Sequence, residues 1–238
     1  MHSRVRRATA FALVATIALA TPALGAAAAV PFALLAVMGR VVSSGPVFDL
    51  FARPADRNVG QLRGLTWFAL AATALALLVA LADLPAAVFA GTVLLVGFGN
   101  LTEAVVSGIR DRPTDRTMAF LVGGAAAAVV GQVTVDGTSI GGPSTVIILG
   151  VVGGILGALV RTALEESGDA VVMLTVALPL WLLAGLGLRA TPVDLAVALG
   201  ITGAFGFLSR AMGSASITGM LTGVLVALLS IVAGGYGW

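Results

Sequence analysis

The chain has 238 residues, 59% of them hydrophobic and only 10% charged, with a mean hydropathy of +1.09; a soluble domain has no interior large enough for that much apolar surface. It contains neither cysteine nor lysine, which excludes disulfides, cysteine-held metals, thiol nucleophiles, the P-loop lysine and Schiff-base chemistry. The pI is near 10.4, yet the net charge is only +2 and the arginines flank apolar runs, so they read as membrane-topology signals and not as a nucleic-acid surface.

The N-terminus reads in two ways. Arg4, Arg6 and Arg7, then the apolar Phe11–Ala20 and Thr21-Pro-Ala-Leu-Gly-Ala, resemble a cleavable signal peptide. The rival is a pair of short spans, Ala8–Thr21 leading out and Ala23–Met38 returning, with Pro22 and Gly25 in the turn. The first of these would rise only about 21 Å as a helix, short for a membrane crossing. The segment from Phe48 to Arg63 follows, mixing aromatics with charge. It reads as an interfacial helix or an anionic-lipid contact, and Gly60 and Gly64 alone do not make a phosphate loop.

Seven apolar runs come next: Gly64–Ala82, Pro85–Val106, Met118–Val135, Thr145–Leu164, Ala170–Leu188, Val193–Ser209 and Ile217–Ala233. Each is near the length a helix needs to cross a bilayer, and turn residues divide them, as at Asp83-Leu-Pro, Arg110-Asp-Arg-Pro and Glu165-Glu-Ser-Gly-Asp. Arginine in short loops marks the cytoplasmic side. With two N-terminal spans and the N-terminus inside, every arginine except Arg189 falls on that side. A single N-terminal span, or cleavage there, reverses every later loop and strands most arginines outside. The expected architecture is therefore all-α, a polytopic helix bundle of about nine spans in the cell membrane, with a cytoplasmic N-terminus and Trp238 on the outer face, where Tyr236 and Trp238 suit the interface. Gly150/Gly154 and Gly153/Gly157 are small-residue pairs that let helix backbones approach closely. They point to a compact bundle and leave open a helix-packing partner or a second copy. Membrane lipids are the other expected partner, and nucleic acid is not one.

Polar residues at membrane depth are costly, so the few present are the binding candidates. Asn100 and Glu103, three apart, share one helix face and could hold a cation or a head group, or reach into water as their span ends. Gln132, inside a span, needs a partner, and an interhelical hydrogen bond is the expected one. Arg161 near a span end can snorkel to phosphate head groups and lies one turn before Glu165. Asp83, Asp136, Asp169 and Asp194 border spans and are expected to hold no ligand. The lone histidine, His2, rules out histidine catalysis and histidine metal sites. No metal site, catalytic residue or cofactor is assigned.

The C-terminal Ser214-Ala-Ser-Ile-Thr-Gly-Met-Leu-Thr-Gly-Val-Leu, then Gly234-Gly-Tyr-Gly-Trp238, resembles the start of the shared part of the membrane family known as domain of unknown function 92, which includes transmembrane protein 19 and the phytyl-phosphate kinase. Phe48-Asp-Leu-Phe, Val96-Gly-Phe-Gly-Asn100-Leu, Leu156-Gly-Ala-Leu-Val-Arg161 and Met173-Leu-Thr-Val-Ala-Leu-Pro-Leu-Trp181 are similar to the N-terminal extension of archaeal, especially halophilic, members. The resemblance implies an N-terminal multi-span region over residues 1–209 and the opening of the family region over 210–238. It implies CTP-dependent phosphorylation of an isoprenoid phosphate. The polar loops that would hold nucleotide and metal follow the Gly-Gly-aromatic stop in that family, so no family catalytic residue maps onto this chain, which is expected to be a fragment or a membrane half that needs a partner. A small-molecule transporter, suggested by the number of spans and the Gly/Pro-broken helices, and a non-catalytic membrane subunit are the alternatives.

Overall fold

The computed structural model describes residues 2–110, 112–136, 141–163, 168–187 and 191–234. Glu165, Arg189, Tyr236 and Trp238 lie outside them, so the expectations placed on these residues are not part of the architecture below. Among the described residues every regular element is helical: α1 (His2–Ala15), α2 (Thr21–Leu24), α3 (Ala29–Val41), α4 (Pro46–Phe51), α5 (Pro54–Val59), α6 (Arg63–Leu81), α7 (Ala86–Ser107), α8 (Pro113–Asp136), α9 (Pro143–Ala163), α10 (Asp169–Gly185), α11 (Pro192–Ala211) and α12 (Ile217–Gly234). Short 3₁₀ turns, Thr16–Ala20 and Gly25–Ala28, join the first three.

Local chemistry sets the starts. Proline opens α4, α5, α8, α9 and α11, where its missing N–H is not needed and its fixed φ suits a helix. At α11, Thr191 and Asp194 close a capping box: the Asp194 N–H donates to the Thr191 hydroxyl at 3.1 Å and the Thr191 N–H donates to the Asp194 carboxylate at 2.9 Å. The buried Asp56 carboxylate accepts from the Arg53 N–H at 2.9 Å and the Arg63 N–H at 3.1 Å, which ties the start of α5 to the start of α6.

The first 41 residues fold back on themselves. Phe11 of α1 lies 5.6 Å, ring to ring, from Phe68 of α6, and the Gly39 carbonyl of α3 accepts from the Leu62 N–H at 3.0 Å, just before α6. A straight helix would put Phe11 and Gly39 roughly 42 Å apart. The reversal falls at Gly25, whose φ of +52° and ψ of −129° are strained for any residue with a Cβ. The paired arrangement of the N-terminal segments is thus present, and its outgoing arm is longer than expected because the helix already begins at His2.

Helix α7 is the centre. Its residues Ala87 to Gly97 are buried, with α8, α1, α10 and α6 packed around it, while α9 lies against α8 and α10, and the α11–α12 pair attaches through α12 and α9. Between helices in lipid there is little hydrophobic drive, so close dispersion contact must hold them. Small residues allow it. A Cβ on Gly97 would lie 2.6 Å from the Ala15 methyl, and one on Gly154 would lie 2.9 Å from the Leu121 carbonyl oxygen. The Gly150/Gly154 and Gly153/Gly157 pairs therefore face α7, α8 and α10 of their own chain. The Thr102 hydroxyl of α7 lies 2.7 Å from the Ala119 carbonyl of α8, an interhelical hydrogen bond. Outside this core Leu13, Leu34, Trp67, Val122, Leu182, Phe205 and Phe207 are all more than half exposed. That apolar exterior is what lipid covers and water does not. Six helical segments, counting Ser3–Val41 as one, are long and apolar enough to cross a membrane, and α10 and α12 are shorter apolar helices.

The segment between α3 and α6 differs from the interfacial helix expected of it. It forms two short helices, and Phe48 and Phe51 turn inward and are buried. Phe51 meets Phe11 edge to face at 5.4 Å. Packing against α1 removes these rings from the surface more completely than an interface would.

Candidate functional site

Three of the four sequence candidates converge at one end of the bundle. Arg161 stands in the last turn of α9, where a cation complements the helix dipole. Its Nη1 donates to Asn100 Oδ1 at 2.5 Å and its Nη2 to Glu103 Oε2 at 2.6 Å, while its guanidinium carbon sits 4.7 Å from the centre of the Phe120 ring. Asn100 and Glu103 do share a face of α7, and that face meets α9 and α10. The partner expected for Arg161 from spacing, Glu165, lies outside the described residues.

Three further residues complete the cluster. Asp169 is the first residue of α10, where the helix dipole favours an anion. Expected to border a span and to hold no ligand, it is only 6% exposed and is the hub of a network within the chain. It accepts from Asn100 Nδ2 at 2.9 Å and from Arg53 Nη2 at 2.6 Å, and lies 3.5 Å from Arg161 Nη1. On the other flank, Arg116 Nη2 of α8 donates to Glu103 Oε1 at 3.0 Å. Arg53 reaches the site because α5 is clamped by Asp56, and because Gly64 makes room: a Cβ there would lie 3.0 Å from Arg53 Nε.

These groups line a cavity of about 500 Å³ together with Arg4 and Arg7 of α1. Among the described residues five arginines line the cavity with two carboxylates, and both carboxylates are already ion-paired. Among the described residues neither Arg4 nor Arg7 makes a direct ion pair: Arg7 Nη1 donates to the Ala52 carbonyl at 3.3 Å, and Asp56 and Asp169 act on its charge only from farther off. The cavity holds a surplus of positive charge with donors pointing into it, which suits a multiply charged oxyanion. A second cavity, of about 450 Å³, adjoins it. Glu103, Arg116 and Arg161 line both, so the ion pairs they make form the wall between.

Gln132 is elsewhere. It is fully buried in the second half of α8, beside Gly91 of α7, and neither atom of its amide has a hydrogen-bond partner. The interhelical bond expected of it is not made. The Thr92 hydroxyl, one residue beyond Gly91, is likewise buried and unpaired.

Fold and site together define a class: an all-helical, apolar bundle of multi-pass membrane type with a cationic cavity at one end. Comparison with known protein families, with curated proteins and with solved structures finds no match.

Proposed function

We propose that this chain is a cell-membrane protein of nine passes with its N-terminus in the cytoplasm, and that its arginine-lined cavity binds a phosphate monoester at the cytoplasmic mouth. The nine passes are the two arms of the N-terminal hairpin and α6 to α12. What supports the orientation is the gathering of Arg4, Arg7, Arg53, Arg116 and Arg161 at one end of the bundle, the side that retains arginine in short loops.

The single observation that carries the ligand reading is the excess of five arginines over two ion-paired carboxylates around one cavity. A dianion matches that excess better than a monoanion does, and guanidinium groups present the paired donors that phosphate oxygens accept. The bundle's apolar walls favour a phosphate that carries an apolar chain, and the isoprenoid phosphates implied by the sequence resemblance belong to that chemistry. The proposal is of binding and not of turnover: both acidic side chains at the cavity are committed to arginines, so with CTP, magnesium and a prenyl phosphate the purified chain is expected to transfer no phosphoryl group.

Equilibrium binding of a prenyl monophosphate to the detergent-solubilised chain tests this. Arg7→Gln removes a cation that makes no direct ion pair among the described residues, and should weaken binding roughly tenfold or more, as loss of a charge-assisted hydrogen bond does. Equal binding by the substituted and unsubstituted chains, or none by either, defeats the proposal.

A further inference from the structure

The wall between the two cavities is made by a ligand-like group that belongs to the chain itself. The Glu103 carboxylate lies between two guanidinium groups, 2.6 Å from Arg161 Nη2 and 3.0 Å from Arg116 Nη2. An incoming phosphate would adopt the same arrangement. We propose that Glu103 is an internal competitor for the anion site: a bound phosphate takes its place on Arg161 and Arg116, and the carboxylate swings into the second cavity. This rests on the phosphate reading above and describes how that site is regulated.

Several features single out Glu103 and not Asp169. Glu103 has the longer side chain, is 15% exposed against 6%, and faces both cavities, whereas Asp169 faces only the first. Asp169 is held at three points, by Asn100, Arg53 and Arg161, while among the described residues the ion pairs of Glu103 are the two a phosphate would replace. Departure of Glu103 does not release Arg161, because the Asn100 carbonyl, the Asp169 carboxylate and the Phe120 ring still fix its guanidinium. The arginine therefore stays where the phosphate needs it. The receiving space is open and partly polar, with Thr117 and Thr162 on its walls. That space opens to solvent, so a carboxylate moved there is hydrated and its charge is not left buried and isolated.

Glu103→Gln removes the competing charge and keeps the side chain's size. Binding of inorganic phosphate to the full chain in detergent, with the unsubstituted chain alongside, is expected to tighten about tenfold. Unchanged or weaker binding, with the unsubstituted chain still binding, overturns the competitor role and leaves the phosphate reading standing. No phosphate binding by either chain removes that reading and this inference with it. A second measurement leaves Glu103 in place. The natural chain lacks cysteine, so Thr162→Cys gives a single thiol on the wall of the second cavity. Phosphate should slow its reaction with a small maleimide severalfold, as the displaced carboxylate fills that space, and an unaltered rate overturns the inference.

Discussion

Gln132 and Arg161 are both polar side chains carried into an apolar bundle, with opposite outcomes. Arg161 finds two oxygen acceptors, a second carboxylate and an aromatic face, whereas the Gln132 amide finds nothing. A buried amide without a partner costs on the order of 1–3 kcal/mol. Gln132→Met, close in shape and free of that cost, should raise the midpoint of thermal unfolding by a few degrees, and a lowered midpoint would mean that the amide is bonded. The charged cluster behaves in the reverse sense. Asp169→Ala leaves Asn100 Nδ2 without its acceptor and the half-exposed Arg53 without its carboxylate and should cost about 2 kcal/mol, whereas Asp49→Ala breaks only an exposed 3.4 Å pair with Arg57 and should cost less than about 1 kcal/mol. Comparing the two unfolding midpoints checks both. Asn100, Glu103 and Arg161 stand out in the sequence as solitary intrusions. That they meet does not, since Arg161 is 58 residues from Glu103 and nothing local encodes the meeting. Asp169 looks like an ordinary loop acid, and the one signal that could have found it is topological: the arginine count places it at the same membrane face as the other three.

At the scale of elements the apolar runs after residue 60 match α6 to α12, because a run of lipid-compatible residues bounded by turn chemistry leaves a helix little choice. The less legible elements are those where length misleads. The outgoing arm of the N-terminal pair gains its first turns from the arginine-bearing segment before it, which hydropathy reads as flank. The segment Phe48–Arg63 hides its packing because an aromatic at an interface and one in a groove look alike in sequence. The hairpin itself hinges on Gly25. Gly25→Val forces a β-branched side chain into a conformation it adopts at a cost of about 1–3 kcal/mol, so it should lower the unfolding midpoint by several degrees, while Gly200→Ala, inside α11 with open space around the added methyl, should leave it unchanged or raise it slightly.

At the scale of the whole molecule, the arginines that line the cavity gather at one end of the bundle. The proposed topology makes a direct forecast: a reporter active only in the cytoplasm is expected to work when fused before Met1 and to fail when fused after Trp238. The same activity at both termini would contradict an odd number of passes.

The central place of α7 bears on how the chain is made. Helices enter the bilayer in the order of synthesis, so α7 arrives when α1, α3 and α6 are present but α8, α9 and α10 are not. For that interval Asn100 and Glu103 have no arginine from α8 or α9, and after α9 is inserted Arg161 still waits for Asp169, the first residue of α10. Closure of the network therefore records that seven apolar segments are in place and correctly ordered. A chain halted before α10 leaves Arg53 without its carboxylate and Asn100 Nδ2 without its acceptor at the mouth of an unfinished bundle.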